Sequence, residues 1–201
     1  MFAGCPIDNS KGWEDRVEND RDKMHKLDKF RYCPACGSKH FNEDTEKSKR
    51  CSNCGFEYFL NPSSSTAAFI LNERGELLVE RRRQEPGRGT LDLPGGFCDM
   101  GETLEEGLLR EVKEETGLEG LEAPQYLFSV PNIYRYSGFD VPTLDAFYLI
   151  HVTGEPETVA GDDASELMWI ALGDIHTEHF GLRSIRHALR RFLDEHLKGR
   201  R

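Results

Sequence analysis

A chain of 201 residues is long enough for one well-packed domain with a small module beside it, without disulfides to stabilise the core. Its 36 acidic against 26 basic residues, a formal net charge of -10, argue against a general nucleic-acid-binding surface, so any phosphate contact has to be local. The longest apolar runs, such as 67–71, are far too short to cross a bilayer and the N-terminus lacks the apolar stretch of a signal peptide, an expectation of a cytoplasmic protein with no membrane partner.

Residues 1–30 form a polar N-terminal extension. Within it Trp13, Val17, Met24 and Leu27 recur at a spacing compatible with one face of a helix. Residues 31–60 carry Cys33-Pro34-Ala35-Cys36-Gly37 and Cys51-Ser52-Asn53-Cys54-Gly55. Two C-x2-C pairs, each followed by a glycine that permits the turn, can surround Zn²⁺ with four thiolates, which predicts a structural zinc ribbon. His40 could compete as a ligand, although four sulfurs already fill the coordination sphere. Cys5 and Cys98 read as ordinary thiols. Lys47, Lys49 and Arg50 would favour nucleic acid, but Glu43, Asp44 and Glu46 lie beside them.

Asn61-Pro62 and the serines at 63–65 mark the start of a larger domain, 61–201. Strands are expected over 66–71 and 76–83 around the Asn72–Gly75 turn. Arg81, Arg82 and Arg83 end the second of these, and alternation sends Arg82 to the opposite face from its neighbours. Leu91-Asp92-Leu93-Pro94-Gly95-Gly96 then leads into a helix. Thr103 and Glu106 have capping-box spacing and Gly117 supplies the stop. Leu104, Leu108, Leu109, Val112 and Thr116 make its apolar stripe, and Glu111, Glu114 and Glu115 fall within about 100° of arc beside it. Like charges this close repel, near the negative end of the helix dipole, and Lys113 offsets only part of that repulsion. A solvated acidic face is the ordinary reading of three glutamates, whereas a divalent cation would supply the missing positive charge. Beyond the helix, strands are expected over 126–130, 144–152 and 167–170, with 131–142 as an aromatic, proline-containing connection. An amphipathic helix over 182–197 closes the chain.

Gly96, Glu102, Arg110, Glu111, Glu114, Glu115 and Gly117, with Val112 and Leu118, complete G-x5-E-x7-R-E-U-x-E-E-x-G-U, where U is aliphatic. This resembles the signature of Nudix hydrolases, and the ribbon in front resembles the zinc-ribbon members that include NADH pyrophosphatases. The resemblance implies an α+β fold, a mixed β-sheet sandwiched between helices. It implies Mg²⁺ or Mn²⁺ held by Glu111, Glu114 and Glu115, main-chain approach of Gly95 and Gly96 to that metal, and Arg110 locking the cluster through Glu102. The general base would come from the box glutamates or from a later position, with Glu166 ahead of Asp163. The implied reaction cleaves a nucleoside diphosphate joined to another moiety, such as ADP-ribose, NADH or FAD, into a nucleoside monophosphate and a phosphorylated fragment. Ring-stacking on Tyr134, Tyr136 or Phe139 could hold the base. NADH pyrophosphatases carry Ser-Gln-Pro-Trp after the box; here Ser129 and Pro131 agree, while Val130 and Asn132 replace the Gln and Trp. The alternatives are a nucleotide-capped RNA hydrolase and a non-catalytic nucleotide sensor, and ribbon-bearing relatives suggest a homodimer.

Overall fold

The computed structural model describes residues 25–154, 156–161 and 164–198, and the chain divides into two compact units, 1–60 and 61–201. Trp13, Val17 and Met24 of the expected helical face lie outside the described residues. Among the described residues no helix is long and apolar enough to cross a membrane.

The first unit is a three-stranded antiparallel sheet of β1 (Phe41–Thr45), β2 (Ser48–Cys51) and β3 (Glu57–Phe59), paired in chain order. Among the described residues one small cluster of Cys33, Phe41 and Cys51 forms its core, with Phe30 stacked on Tyr58 at 5.7 Å and Leu27 also buried. A cluster this small supplies little hydrophobic stabilisation, and a metal held by the cysteines would add to it.

The second unit contains β4 (Ser63–Leu71), β5 (Glu76–Arg82), β6 (Leu91–Asp92), α1 (Leu104–Thr116), β7 (Gln125–Tyr136), β8 (Phe139–His151), β9 (Ala164–Ala171) and α2 (Arg183–Lys198). The sheet runs β6-β5-β4-β8-β7, with β9 also paired to β5. β4 and β8 are parallel, from Ser63 opposite Thr143 to Leu71 opposite His151. Such central strands are buried on both faces, which explains the unbroken apolar run of β4. Alternation divides the core in two. Ala68, Ile70, Leu78, Ala146, Tyr148 and Ile150 pack against Leu108 and Val112 of α1. Phe69, Leu77, Val79, Phe147 and Leu149 pack against Ile185, Leu189 and Phe192 of α2. Phe69 stacks on Phe192 at 4.0 Å, and burying each ring contributes about 1.5–3 kcal/mol.

The connection expected over 131–142 is instead the outer half of one long β7–β8 hairpin. Its turn is Ser137-Gly138, both at positive φ (49° and 71°), the pair of conformations that a tight two-residue hairpin turn requires. The prolines are tolerated by position. Pro131 lies on β7, the last strand in the sheet order, and Pro142 lies just beyond the last β4–β8 pair, so neither removes an N–H that the central ladder needs.

Candidate active site and cysteine cluster

α1 begins and ends where local chemistry dictates. Thr103 Oγ1 accepts from the Glu106 N–H (3.2 Å), and Glu106 Oε2 accepts from the Thr103 N–H (2.8 Å). At the other end Gly117, at φ 73°, donates its N–H to the Lys113 carbonyl. The helix is thereby fixed with Leu108 and Val112 on the sheet and Glu111 and Glu115 at the Gly95–Gly96 turn.

That turn is itself pinned to the edge of β4. The Thr66 N–H donates to the Gly96 carbonyl (2.8 Å) and the Ala68 N–H to the Pro94 carbonyl (2.9 Å). A Cβ on Gly95 would lie 2.2 Å from the Thr66 carbonyl oxygen, and one on Gly96 would lie 2.6 Å from the Glu111 carboxyl carbon. Both positions need glycine for close approach.

The carboxylates divide into two groups. Arg110 grips Glu102 with two bonds, Nε to Oε1 at 2.7 Å and Nη2 to Oε2 at 3.0 Å. It also donates to Glu111 (2.8 Å), Glu114 (3.2 Å) and the Phe97 carbonyl (3.1 Å). The Arg110 fork, with help from the Asp99 N–H, lowers the Glu102 carboxyl to about 2. Glu115 is the opposite case. It is 9% exposed and accepts from the Gly95 N–H at 2.8 Å. Burial, then the neighbouring Glu80, with Glu111 and Asp92 adding, pushes its carboxyl far above the usual range. Glu114 is mostly exposed.

Glu80 was missed by sequence reasoning. It is 2% exposed and sits on β5 two residues after Leu78, on the face that carries α1. Its only signal was a carboxylate at the end of the apolar run Leu77-Leu78-Val79. Glu166 goes elsewhere: it pairs with Arg81 (3.0 Å), on the side of the sheet where Arg81 also reaches Met168. Met168 packs in the α2 half of the core, so the structure does not bring Glu166 to the box glutamates. Asp163 lies outside the described residues.

Hard carboxylate oxygens, a buried acidic residue with two buried acidic neighbours and two side-chain-free positions against them suit a divalent cation such as Mg²⁺. The box glutamates are not yet a closed cluster. Among the described residues, the groups whose candidate ligand atoms all lie within 4.8 Å of one another are the four cysteines and His25–Asp28–Glu43. In the second group both ring nitrogens of His25 are already engaged, with the Thr45 carbonyl (2.7 Å) and the Leu27 N–H (3.1 Å), so it serves as a structural tie.

The cysteines form two knuckles. The Gly37 N–H donates to the Cys33 carbonyl (2.8 Å) and the Gly55 N–H to the Cys51 carbonyl (2.9 Å), each glycine at positive φ. The sulfurs of Cys33 and Cys54, and of Cys36 and Cys51, are 3.7 Å apart, too far for disulfides and right for four thiolates around one Zn²⁺. The Ser38 main chain and the Asn53 amide help hold the Cys36 thiol down to about 6.

Beside Gly96 stands an aromatic pair. Phe97, 41% exposed, meets Tyr134 edge-on at 5.5 Å, 84° between ring planes. Arg82 steadies Tyr134 from behind. It is paired with buried Asp92 (2.5 Å), donates to the Pro86 carbonyl (2.7 Å) and reaches the Tyr134 hydroxyl at 3.4 Å. Tyr136 is exposed and Phe139 half-buried, both at the hairpin tip.

A mixed sheet between two helices, with one helix setting carboxylates against a glycine turn, is the arrangement of a hydrolase that handles phosphate anhydrides through a divalent cation. The chain matches the NUDIX domain over residues 62–192 and the NADH pyrophosphatase zinc ribbon domain over 28–59. It belongs to the Nudix hydrolases. It is 32% identical to an ADP-ribose pyrophosphatase of Methanocaldococcus jannaschii over 122 residues, 60% of this chain and 68% of the relative. It is 30% identical to a NAD-capped RNA hydrolase of Vibrio atlanticus over 95 residues, 47% of this chain but only 35% of that relative. The crystal structure of a MutT NUDIX hydrolase from Burkholderia pseudomallei is 32% identical, with TM-score 0.54, over 65% of this chain and 97% of that one. A NUDIX hydrolase from Nitrosomonas europaea, 22% identical, shares the fold over 84% of this chain and 93% of its own, with TM-score 0.63.

Proposed function

We propose that the chain hydrolyses the diphosphate bond of a nucleoside diphosphate joined to a second moiety of the ADP-ribose, NADH or FAD kind, releasing a nucleoside monophosphate and a phosphorylated fragment. The observation that carries this reading is the junction at Gly96–Phe97. Gly96 lies against the Glu111 carboxyl and the next residue presents its ring to Tyr134, so a diphosphate at the first would place a planar group at the second.

Glu111 and Glu115, with Glu114, would hold Mg²⁺ or Mn²⁺, and the four cysteines Zn²⁺. A bound divalent ion neutralises phosphate oxygens and acidifies a water. The protein's own share is positional. Arg110 holds Glu111 and Glu102 in place, the Gly95 N–H orients Glu115, and the Phe97–Tyr134 pair aligns the nucleotide. With Glu166 engaged by Arg81, a box glutamate is the better reading of the base that takes the proton from water. ADP-ribose pyrophosphatase similarity over two thirds of that relative favours ADP-ribose first, and likeness to NAD-capped RNA hydrolases makes capped RNA the second reading.

The test is a panel of ADP-ribose, NADH, FAD and a NAD-capped RNA with Mg²⁺ or Mn²⁺, scored for monophosphate release. Release of AMP from ADP-ribose that stops on chelation supports the reading. Turnover of capped RNA alone would move the assignment to the second reading, and no cleavage with either metal would overturn both. The homodimer belongs to the same proposal, with sedimentation of the purified chain as its test.

A further inference from the structure

Resting on that hydrolase reading, we infer that Asn132 reads the base of the substrate and selects a 6-amino purine over a 6-oxo purine. Asn132 is on β7, two residues before Tyr134 and on the same face of the strand. Its side-chain nitrogen donates to Asp145 Oδ2 at 3.1 Å. Asp145 is 8% exposed, and its other oxygen accepts from Ser65 Oγ (2.5 Å) and Thr143 Oγ1 (2.6 Å). Ser65 is in turn bridged to Phe97. The polar cluster and the aromatic pair are therefore tied into one surface next to Gly96.

The chemistry of Asp145 fixes which way Asn132 points. A carboxylate accepts and does not donate, and three donors already converge on this one. Turning the amide over would set its oxygen against a carboxylate oxygen, so the nitrogen is kept toward Asp145 and Oδ1 is kept away from it. Asn132 thus presents an acceptor and its remaining N–H to a ring lying along Phe97 and Tyr134. That pattern matches adenine, whose 6-amino group donates while a ring nitrogen accepts, as when Asn pairs with adenine in nucleic-acid readout. A 6-oxo purine would put oxygen against oxygen. Nothing in residues 129–134 alone reveals this, because the orienting carboxylate lies 13 residues further on.

The experiment compares ADP-ribose with its inosine analogue, which differs only in the amino-to-oxo change. Wild type should favour ADP-ribose by about tenfold to a hundredfold in kcat/KM. Asn132→Ala should bring the ratio close to one, and Asp145→Asn, which lets the amide turn over, should lower it while Asn132 is retained. Calorimetric binding of AMP against IMP gives the same ratio without turnover. A wild-type ratio near one, or a ratio unchanged in Asn132→Ala, overturns the inference. If adenine is preferred in binding but no diphosphate is cleaved, the hydrolase reading fails and the base reading stands.

Discussion

Glu102 and Glu115 belong to one sequence signature and experience opposite fields. Glu102 receives both arms of the Arg110 guanidinium and the Asp99 N–H, and its negative charge is fully stabilised. Glu115, under the Gly95 turn, faces buried Glu80 and Glu111 with one main-chain N–H opposing them. A single arginine could not serve both sides of the turn. Arg110 reaches Glu102 and Glu111, whereas Glu115 has the Gly95 N–H to oppose its acidic neighbours; on the proposed reading that is the side where a divalent ion would gain most by binding. On the proposed reading, Arg110 organises the site without occupying the position the ion would take.

The largest expected effect lies on the flank short of charge. Glu115→Gln keeps the shape and removes the group that must ionise to hold a cation. Turnover should fall by about a hundredfold or more, while the melting temperature of the metal-free protein rises, because folding no longer has to protonate a buried carboxyl among acidic neighbours. A lower melting temperature would show that Glu115 is stabilised in some other way. The same flank sets a pH dependence. A carboxyl whose folded pKa is raised binds more protons folded than unfolded, so metal-free stability should fall as pH rises above the ordinary glutamate range of about 4.3. Saturating Mg²⁺ or Glu115→Gln should flatten that slope, measured by chemical denaturation between about pH 5 and 8. On the Glu102 flank the sign reverses. Its folded pKa is lowered to about 2, so the stability it contributes is present above its unfolded value and is lost as pH falls toward the folded one.

Arg110→Lys comes next. A single ammonium cannot reproduce the two bonds to Glu102 together with those to Glu111 and the Phe97 carbonyl. We expect turnover about tenfold to a hundredfold lower, with a higher Mg²⁺ concentration needed for half-maximal rate, since Glu111 loses its positioner. An unchanged metal requirement would confine Arg110 to holding the loop. Gly96→Ala attacks the same contact from the other side, because the new methyl group falls on the Glu111 carboxyl. It should resemble Arg110→Lys in its metal requirement.

The helix that divides these flanks was legible because its determinants are local. Thr103, Glu106, the apolar stripe and Gly117 are all within one segment, and they set both ends of α1. The ribbon was equally legible, since two C-x2-C-G knuckles state both ligand and turn. What escaped depends on contacts distant in sequence. Glu80 ends an apolar strand, and only packing of that strand under α1 turns it into a neighbour of Glu115. Glu166 was expected as the later candidate for the base from the resemblance, and strand alternation on β9 places it beside Arg81. The 131–142 hairpin was hidden by its prolines, whose tolerance depends on which neighbours each strand acquires.

The smallest expected effect isolates the helix from the charges it carries. Thr103→Ala removes the hydroxyl that caps the Glu106 N–H and breaks the reciprocal capping box, without touching Arg110, Glu111 or Glu115. Stability should fall by about 1 kcal/mol, read as a shift in denaturation midpoint at constant slope. The metal requirement and kcat should be unchanged well below the melting transition, because Arg110 and the Gly95 N–H, not the cap, hold the carboxylates. If this variant instead raised the Mg²⁺ requirement as Arg110→Lys does, the two flanks would be coupled through the start of the helix. The contrast between Glu102 and Glu115 would then belong to the helix as a whole rather than to the arginine.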